Sequence, residues 1–327
     1  MAPVVGKFRI VFATFCLGTA GCSPYVYKDE VGGFQQQVSR LASTYDDSVK
    51  QYGADYDRER RQHFAVNLLP LETVGGCQEV SASGPPCQIV TLSAKDADTY
   101  PATSPYQDSG PDATKKVLGA LAAYAAQLVA ITDAADSEAL AARQKSLWES
   151  VGKVLKTADQ FVPGAADTSG MVGTAGGLLG KLLQAALDRE RLAALRQAVT
   201  AVDPRLPILA HVAEEGIKVL IDSRLRSTST YLDEIENRSF GPDVVKRLNV
   251  ELYDARYSAL SEAVAEINAL RAVKPADLTQ ALVDAHHALA TALDNKNADL
   301  ASVTAALANL AEKVSAFRDA IEAANKT

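Results

Sequence analysis

Apolar residues recur along most of this chain at alternating steps of three and four, the spacing that lines one face of a helix. The most regular stripe lies near the C-terminus, where Leu300, Val303, Leu307, Leu310, Val314, Phe317 and Ile321 follow one another without a miss. Phe34, Val38, Leu41, Tyr45 and Tyr52 form a second stripe near the other end and predict a helix over 31–63. Asp55, Arg58, Glu59 and Arg60 fill its other faces. At 1.5 Å per residue that helix is about 50 Å long. Val117, Leu121, Tyr124, Leu128 and Ile131 predict a helix over 112–132. Leu140, Leu147, Val151 and Val154 predict one over 137–161, capped by Ser137 and ended by Pro163-Gly164. Further helices are expected over 170–202, stopping before Pro204 and Pro207, over 207–237, and over 244–273 after Gly241-Pro242-Asp243. Lys274-Pro275 then precedes a helix carrying Leu278, Leu282, Leu289 and Leu293.

One stretch breaks the pattern. Between 67 and 111 stand Pro70, Pro85, Pro86, Pro101, Pro105 and Pro111. A connection of this length inside a compact domain often carries function. Glu79-Val80-Ser81 and Gln88-Ile89-Val90-Thr91-Leu92 flank the turn-like Gly84-Pro85-Pro86, which predicts a small hairpin or ordered loop. Short breaks between long helices favour antiparallel neighbours. The expected fold is therefore all-α, an elongated bundle of long antiparallel helices with one irregular, disulfide-closed loop or small hairpin. No repeat of fixed length supports a solenoid. The first and last stripes either pair within the chain or seal an oligomer, and intramolecular packing is the commoner fate.

Composition narrows the setting. The chain has 327 residues, a formal net charge of −7 and only 6% aromatic residues. An acidic body argues against nucleic acid and against electrostatic adhesion to anionic lipid. Alanine-rich, aromatic-poor sequence suits closely packed helices.

The N-terminus is the part that names a place. Lys7 and Arg9 precede an apolar run over 10–17, followed by Gly18-Thr19-Ala20-Gly21-Cys22-Ser23. A basic head, a short apolar core and small residues are the parts of an export signal. The run is too short for a permanent span, which needs about 20 residues. Residues 1–23 resemble the signal peptide and lipobox of bacterial lipoproteins. Gly21 and Ala20 fit the family pattern, and Thr19 stands where the family prefers Leu. The resemblance implies lipid attachment, palmitate included, at Cys22, which becomes the first mature residue. Ser23 resembles the sorting pattern for the outer membrane, with the body facing the periplasm. Ordinary cleavage after Ala20 or Gly21 is the alternative. Removing 1–21 takes Lys7 and Arg9 away and makes the charge −9. The organisation then reads as signal peptide 1–21, tether 22–30, first helix 31–66, irregular insertion 67–111 and helical bundle 112–327. Cys77 and Cys87 remain as an even pair, expected to be bonded in an oxidising compartment. Their spacing fits neither a redox C-x-x-C nor a zinc pattern.

Candidate chemistry is sparse. The histidines are His63, His211, His286 and His287. A di-iron bundle wants Glu-x-x-His on two helices. Here His211 precedes Glu214 and Glu215, the reverse order, and Asp284 precedes His287 by three with the less usual acid. No metal and no cofactor is expected. There is no Gly-x-Ser-x-Gly and no phosphate-binding Gly-x-x-x-x-Gly-Lys-Ser/Thr. Ser227-Thr228-Ser229-Thr230 reads as a polar patch on or beside a helix, and no residue justifies a catalytic role. The glycines of 170–180 need a reason, because each costs about 1 kcal/mol in a helix interior. Gly173 with Gly177, and Gly176 with Gly180, have the small-x-x-x-small spacing of close helix packing. A loop, a closely packed helix and a membrane-inserting tip all fit this segment.

The expected function is that of a lipid-anchored envelope protein without enzymatic activity. It is held to the membrane through Cys22 and acts by contact with an envelope protein, with an oligomer open. The alternatives are a membrane-active protein that uses 170–180 and an enzyme with a site between helices.

Overall fold

The computed structural model describes residues 27–67, 69–74, 88–92, 111–161, 184–239, 249–294 and 300–324. The chain is an all-α bundle. Its helices are α1 (Lys28–Asn67), α2 (Pro111–Thr132), α3 (Ser137–Asp159), α4 (Gln184–Val202), α5 (Leu206–Ser239), α6 (Val250–Ala272), α7 (Pro275–Asp294) and α8 (Leu300–Ala324). Among the described residues one antiparallel pair, β1 (Leu71–Val74) with β2 (Gln88–Thr91), joins them, in the register Leu71 to Thr91 and Val74 to Gln88.

The regular stripes are the core. Val38, Leu41 and Tyr45 of α1 are fully buried, as are Val303, Leu310 and Phe317 of α8. Burying each such side chain stabilises the fold by about 1.5–3 kcal/mol. The first and last stripes meet within the chain: α1 packs on both α2 and α8, and α7 lies against α5 and α8.

Side-chain pairs set the directions. Lys28 pairs with Asp133 just past α2, and Asp46 pairs with Lys115 near its start, so α1 and α2 are antiparallel. Phe34 and Tyr124 lie at the level of the α4–α5 junction through His286 and Asp203. Twelve residues further along α1, the hydroxyl of Thr114 donates to the carbonyl of Val212 at 3.2 Å. So α5 runs in the direction of α1 and continues well past the start of α2. Arg224 of α5 faces Glu266 of α6 at 3.6 Å, and the nine residues between Ser239 and Asn249 are too few to return to the other end of the bundle, so α5 and α6 are antiparallel. The start of α6 therefore lies at the end of the bundle away from Lys28.

Helix ends are closed by basic side chains from neighbours. Arg143 and Arg191 donate to the carbonyls of Ala130 and Ala134 at the end of α2. Arg196 Nε donates to Leu293 at 2.7 Å, and the Tyr27 hydroxyl donates to Ala292 at 3.1 Å, at the end of α7. Cations at a C-terminus satisfy orphan carbonyls and oppose the helix dipole.

Several local expectations change. The cap of α3 is Asp136, one residue before Ser137, and its carboxylate accepts from Ala139 N at 2.8 Å. α6 starts at Val250, not 244, because Asn249 is extended (φ −80, ψ 167) and its side chain accepts from Leu252 N. Gln88–Thr91 pairs with Leu71–Val74, a partner outside the expected hairpin, whose other arm, 79–81, lies outside the described residues. Pro204 and Pro207 do not turn the chain back. Backbone before and after them stays helical, and one tight 3-10 turn, Asp203–Arg205, carries α4 into α5 without the two packing side by side. Proline is tolerated in a first helical turn, where its missing N–H has no partner to lose.

Gly216 lies where α5 passes close against α2. A Cβ there would collide with Oγ1 and Cβ of Thr114. Gly to Ala inside a helix ordinarily gains about 1 kcal/mol. Here the collision decides the sign, since the Thr114 Cβ cannot rotate away. Gly216→Ala is expected to destabilise by about 1–3 kcal/mol, read as a lower denaturant midpoint at unchanged slope.

Candidate functional site

The most elaborate polar structure lies in the core where α1, α2, α7 and the α4–α5 junction meet. His286 occupies a gap in the leucine stripe of α7 and is fully buried. A buried imidazole needs a partner at each nitrogen. Nδ1 lies 2.9 Å from Asp203 Oδ1, and Nε2 lies 3.1 Å from the hydroxyl of Tyr124, itself fully buried. The Phe34 ring covers the imidazole at 5.5 Å between centroids. The next residue, His287, points outward, yet its Nδ1 reaches the other carboxylate oxygen of Asp203 at 2.9 Å.

The donors follow from the chemistry. An ionised carboxylate only accepts, so both Nδ1 atoms carry the hydrogen. Nε2 of a neutral His286 is then an acceptor, and the Tyr124 hydroxyl donates to it. The result is one chain: Tyr124 to His286 to Asp203, met from the other side by His287. The hydrogen bond from His286 holds the Asp203 carboxyl below its ordinary range, against the opposing effect of burial, and His287 adds to the lowering. Burial, and then the Asp203 charge, push the Tyr124 phenol well above its ordinary value, so it stays protonated.

A second polar pair joins α5 to α6. Arg224 and Glu266 are both buried. In the hydroxyl run 227–230, Thr228 is buried and donates to the Arg224 carbonyl at 3.0 Å, while Thr230 donates to the Arg226 carbonyl. The run lies on α5, with Thr228 turned into the core and Ser229 and Thr230 exposed.

Beyond that pair, α6 carries a feature of another kind. Its packed face consists of Ala263, Glu266 and Leu270. Apolar residues also stand at 250, 253, 257, 260, 264 and 267, in steps of three, four, three, four and three. Val250 is 85% exposed, Tyr257 56%, and Tyr253 and Val264 44% each. Leu260 and Ile267 are half-buried and border the packed face. The helix therefore bears two apolar stripes, one used by the bundle and one facing solvent.

No family model, curated protein or solved structure matches this chain.

The residues singled out in the sequence fare differently. Cys22, Cys77, Cys87, Gly173, Gly176, Gly177 and Gly180 lie outside the described residues. The expected helix over 170–202 is described only from Gln184. Asp284, three before His287, accepts from Gln280 instead. His211 is exposed, 4.0 Å from Glu214. Among the described residues no group of three or more His, Cys, Asp or Glu side chains could hold a metal, and no helix is long and apolar enough to cross a membrane.

The network offers little room for a reaction. Tyr124 and His286 are sealed in the core. His287 presents Nε2 to solvent, but among the described residues no hydroxyl or thiol is hydrogen-bonded to it. A recess lined by Val273, Lys274, Leu278, Lys313 and Phe317 holds about 90 Å3. Ligand pockets usually enclose about 300–1,000 Å3.

Proposed function

We propose that this protein is a lipid-anchored envelope protein that works by protein contact rather than by catalysis. The observation that carries the reading is the solvent-facing apolar stripe of α6, at the end of the bundle away from the anchor. α1 has 40 residues, which at 1.5 Å each is about 60 Å. Lipid at Cys22 would fix the Lys28 end at the outer membrane, and the α6 stripe would stand tens of ångströms into the periplasm. Contiguous exposed apolar surface rimmed by polar residues marks interaction sites. Two regular stripes ending in an intramolecular core leave the third, on α6, as the surface for a partner.

The same geometry supports a disulfide between Cys77 and Cys87. The β1–β2 ladder brings Val74 beside Gln88. Cys87 directly precedes Gln88 and Cys77 lies three residues past Val74, so the ladder closes the ends of the segment that holds both. Chain-entropy arithmetic assigns such a short ring about 3 kcal/mol.

Metabolic labelling with a palmitate analogue tests the anchor. The wild type is expected to take up label and Cys22→Ala to take up none. Unlabelled wild type refutes lipidation and leaves ordinary cleavage. A photo-crosslinking residue in place of Tyr257, used in the intact envelope, tests the contact. Adducts at 257 and none at the far-side position 262 are expected.

A further inference from the structure

We infer that the outer face of α6 docks a basic amphipathic helix of an envelope partner. This rests on the reading of α6 as a contact surface and names the chemistry of what it contacts. The apolar part of the face is the row Val250, Tyr257 and Val264, all exposed. Steps of seven keep the three on one side of the helix, opposite the packed Ala263, Glu266 and Leu270. Each step turns the row by about 20°, the drift that a second helix follows in a left-handed crossing. From Val250 to Val264 the row is about 21 Å long at 1.5 Å per residue.

Charge decides the occupant. Among the exposed residues of 249–265 three are acidic, Glu251, Asp254 and Glu262, and none is basic. Arg256, the cation of this stretch, is half-buried. Among the described residues no cation forms an ion pair with the three carboxylates. Asp254 stands in the outer face itself, one turn from both Val250 and Tyr257. Glu251 and Glu262 lie round the helix from it and act on a partner through their field, within the Debye length of about 8–10 Å, rather than by contact. The end of α5 has the same sign. Counted back from the Arg224–Glu266 pair along the two antiparallel helices, Asp233 is level with Tyr257 and Glu236 with Asp254, and both are exposed. Arg226, level with Val264, is exposed and marks where the acidic end begins.

This combination sorts the possible occupants. A second copy would bring like charge onto like, and an anionic lipid surface or a nucleic acid would be repelled. A wholly apolar partner would desolvate Asp254 and give it nothing in return. A helix that carries Lys or Arg beside its own apolar row meets both demands. It covers Val250, Tyr257 and Val264, sets a cation against Asp254, and approaches in the field of the other acids.

Two measurements test the assignment. In the first, the mature full chain is titrated with a labelled helical peptide that has a Leu row flanked by Lys, and with a twin that has Glu in place of Lys. The Lys peptide is expected to bind at least tenfold tighter. Asp254→Lys is expected to weaken its binding at least fivefold and Asp254→Asn by less. Glu215→Lys makes the same charge change 21 residues before Glu236 on α5, about 30 Å away at 1.5 Å per residue, and is expected to leave binding unchanged. Equal affinity for the two peptides, or indifference to Asp254→Lys, overturns the proposal. In the second, the photo-crosslinking residue at 257 is placed in the same backgrounds in the intact envelope. Adducts are expected to fall at least fivefold with Asp254→Lys, to persist with Glu215→Lys, and to lie on a partner segment rich in Lys or Arg. Adducts that form equally in every background, or that join two copies of this chain, overturn the basic-helix assignment while the contact reading stands. No adduct in any background overturns the contact reading itself, and this inference with it.

Discussion

Glu266→Ala is expected to cost about 3–5 kcal/mol, the usual penalty for removing one partner of a buried ion pair. Arg224 is 3% exposed and its charge stays in place when the carboxylate is gone. Total stability of a domain is about 5–15 kcal/mol, so this loss is a large fraction. The decisive comparison is with Arg224→Met/Glu266→Leu. Replacing both charges by apolar side chains of similar volume is often neutral or stabilising by about 1–4 kcal/mol. Urea unfolding of the three proteins separates the two possibilities. A Glu266→Ala loss below about 1 kcal/mol would mean that groups other than this carboxylate compensate the Arg224 charge. The pair also fixes the register of α5 against α6 and so the presentation of the outer stripe. The double variant therefore tests whether that register needs the charges, through its crosslinking at 257.

Asp203→Ala is the second large effect, about 2–3 kcal/mol. The carboxylate accepts from both His286 and His287, and only the second can turn to water. His286 Nδ1–H would be left buried without an acceptor. His287→Ala removes an exposed ring and is expected to change stability by no more than about 0.5 kcal/mol. The pair of variants separates the buried hydrogen bond from the surface one. The pH dependence has a defined sign. Asp203 has a folded-state pKa below its unfolded one, so its stabilisation is fully present above the unfolded value. It is lost as pH falls from about 4 through the lower folded value. Thermal midpoints of the wild type are expected to fall over that window, and the fall is expected to be shallower in Asp203→Ala. Identical acid limbs would show that the bridge does not carry the dependence.

The stripes made most of the helices legible, since a helix with one apolar face has one way to bury it. The errors fall where local signals compete. α4 ends at Val202, before Pro204, as expected, but the prolines do not say that the chain continues through one 3-10 turn into α5 rather than folding back. Ser137 and Asp136 are adjacent acceptors of similar capping strength, and only the backbone path chooses between them. α6 carries apolar residues on two faces, and its sequence does not say which face the bundle takes.

The site follows the same division. That His286 is buried could be read from its place between Leu282 and Leu289, in phase with both. A buried imidazole requires partners, and that too is a sequence-level requirement. Which partners it takes was not readable. Asp203 lies 83 positions away in what looked like a helix end, and Tyr124 had the spacing of an ordinary core residue. Asp284, the acid that sequence spacing offered to His287, faces Gln280 instead.

By itself the sequence determined the helical class and the core stripes, because periodicity and local composition are properties of neighbouring residues. Only the tertiary structure decided which stripe of α6 stays outside, which acid meets the two histidines, and which strand pairs with Gln88–Thr91. Those outcomes depend on distant segments arriving at one place. No local pattern encodes the free-energy difference between such arrivals.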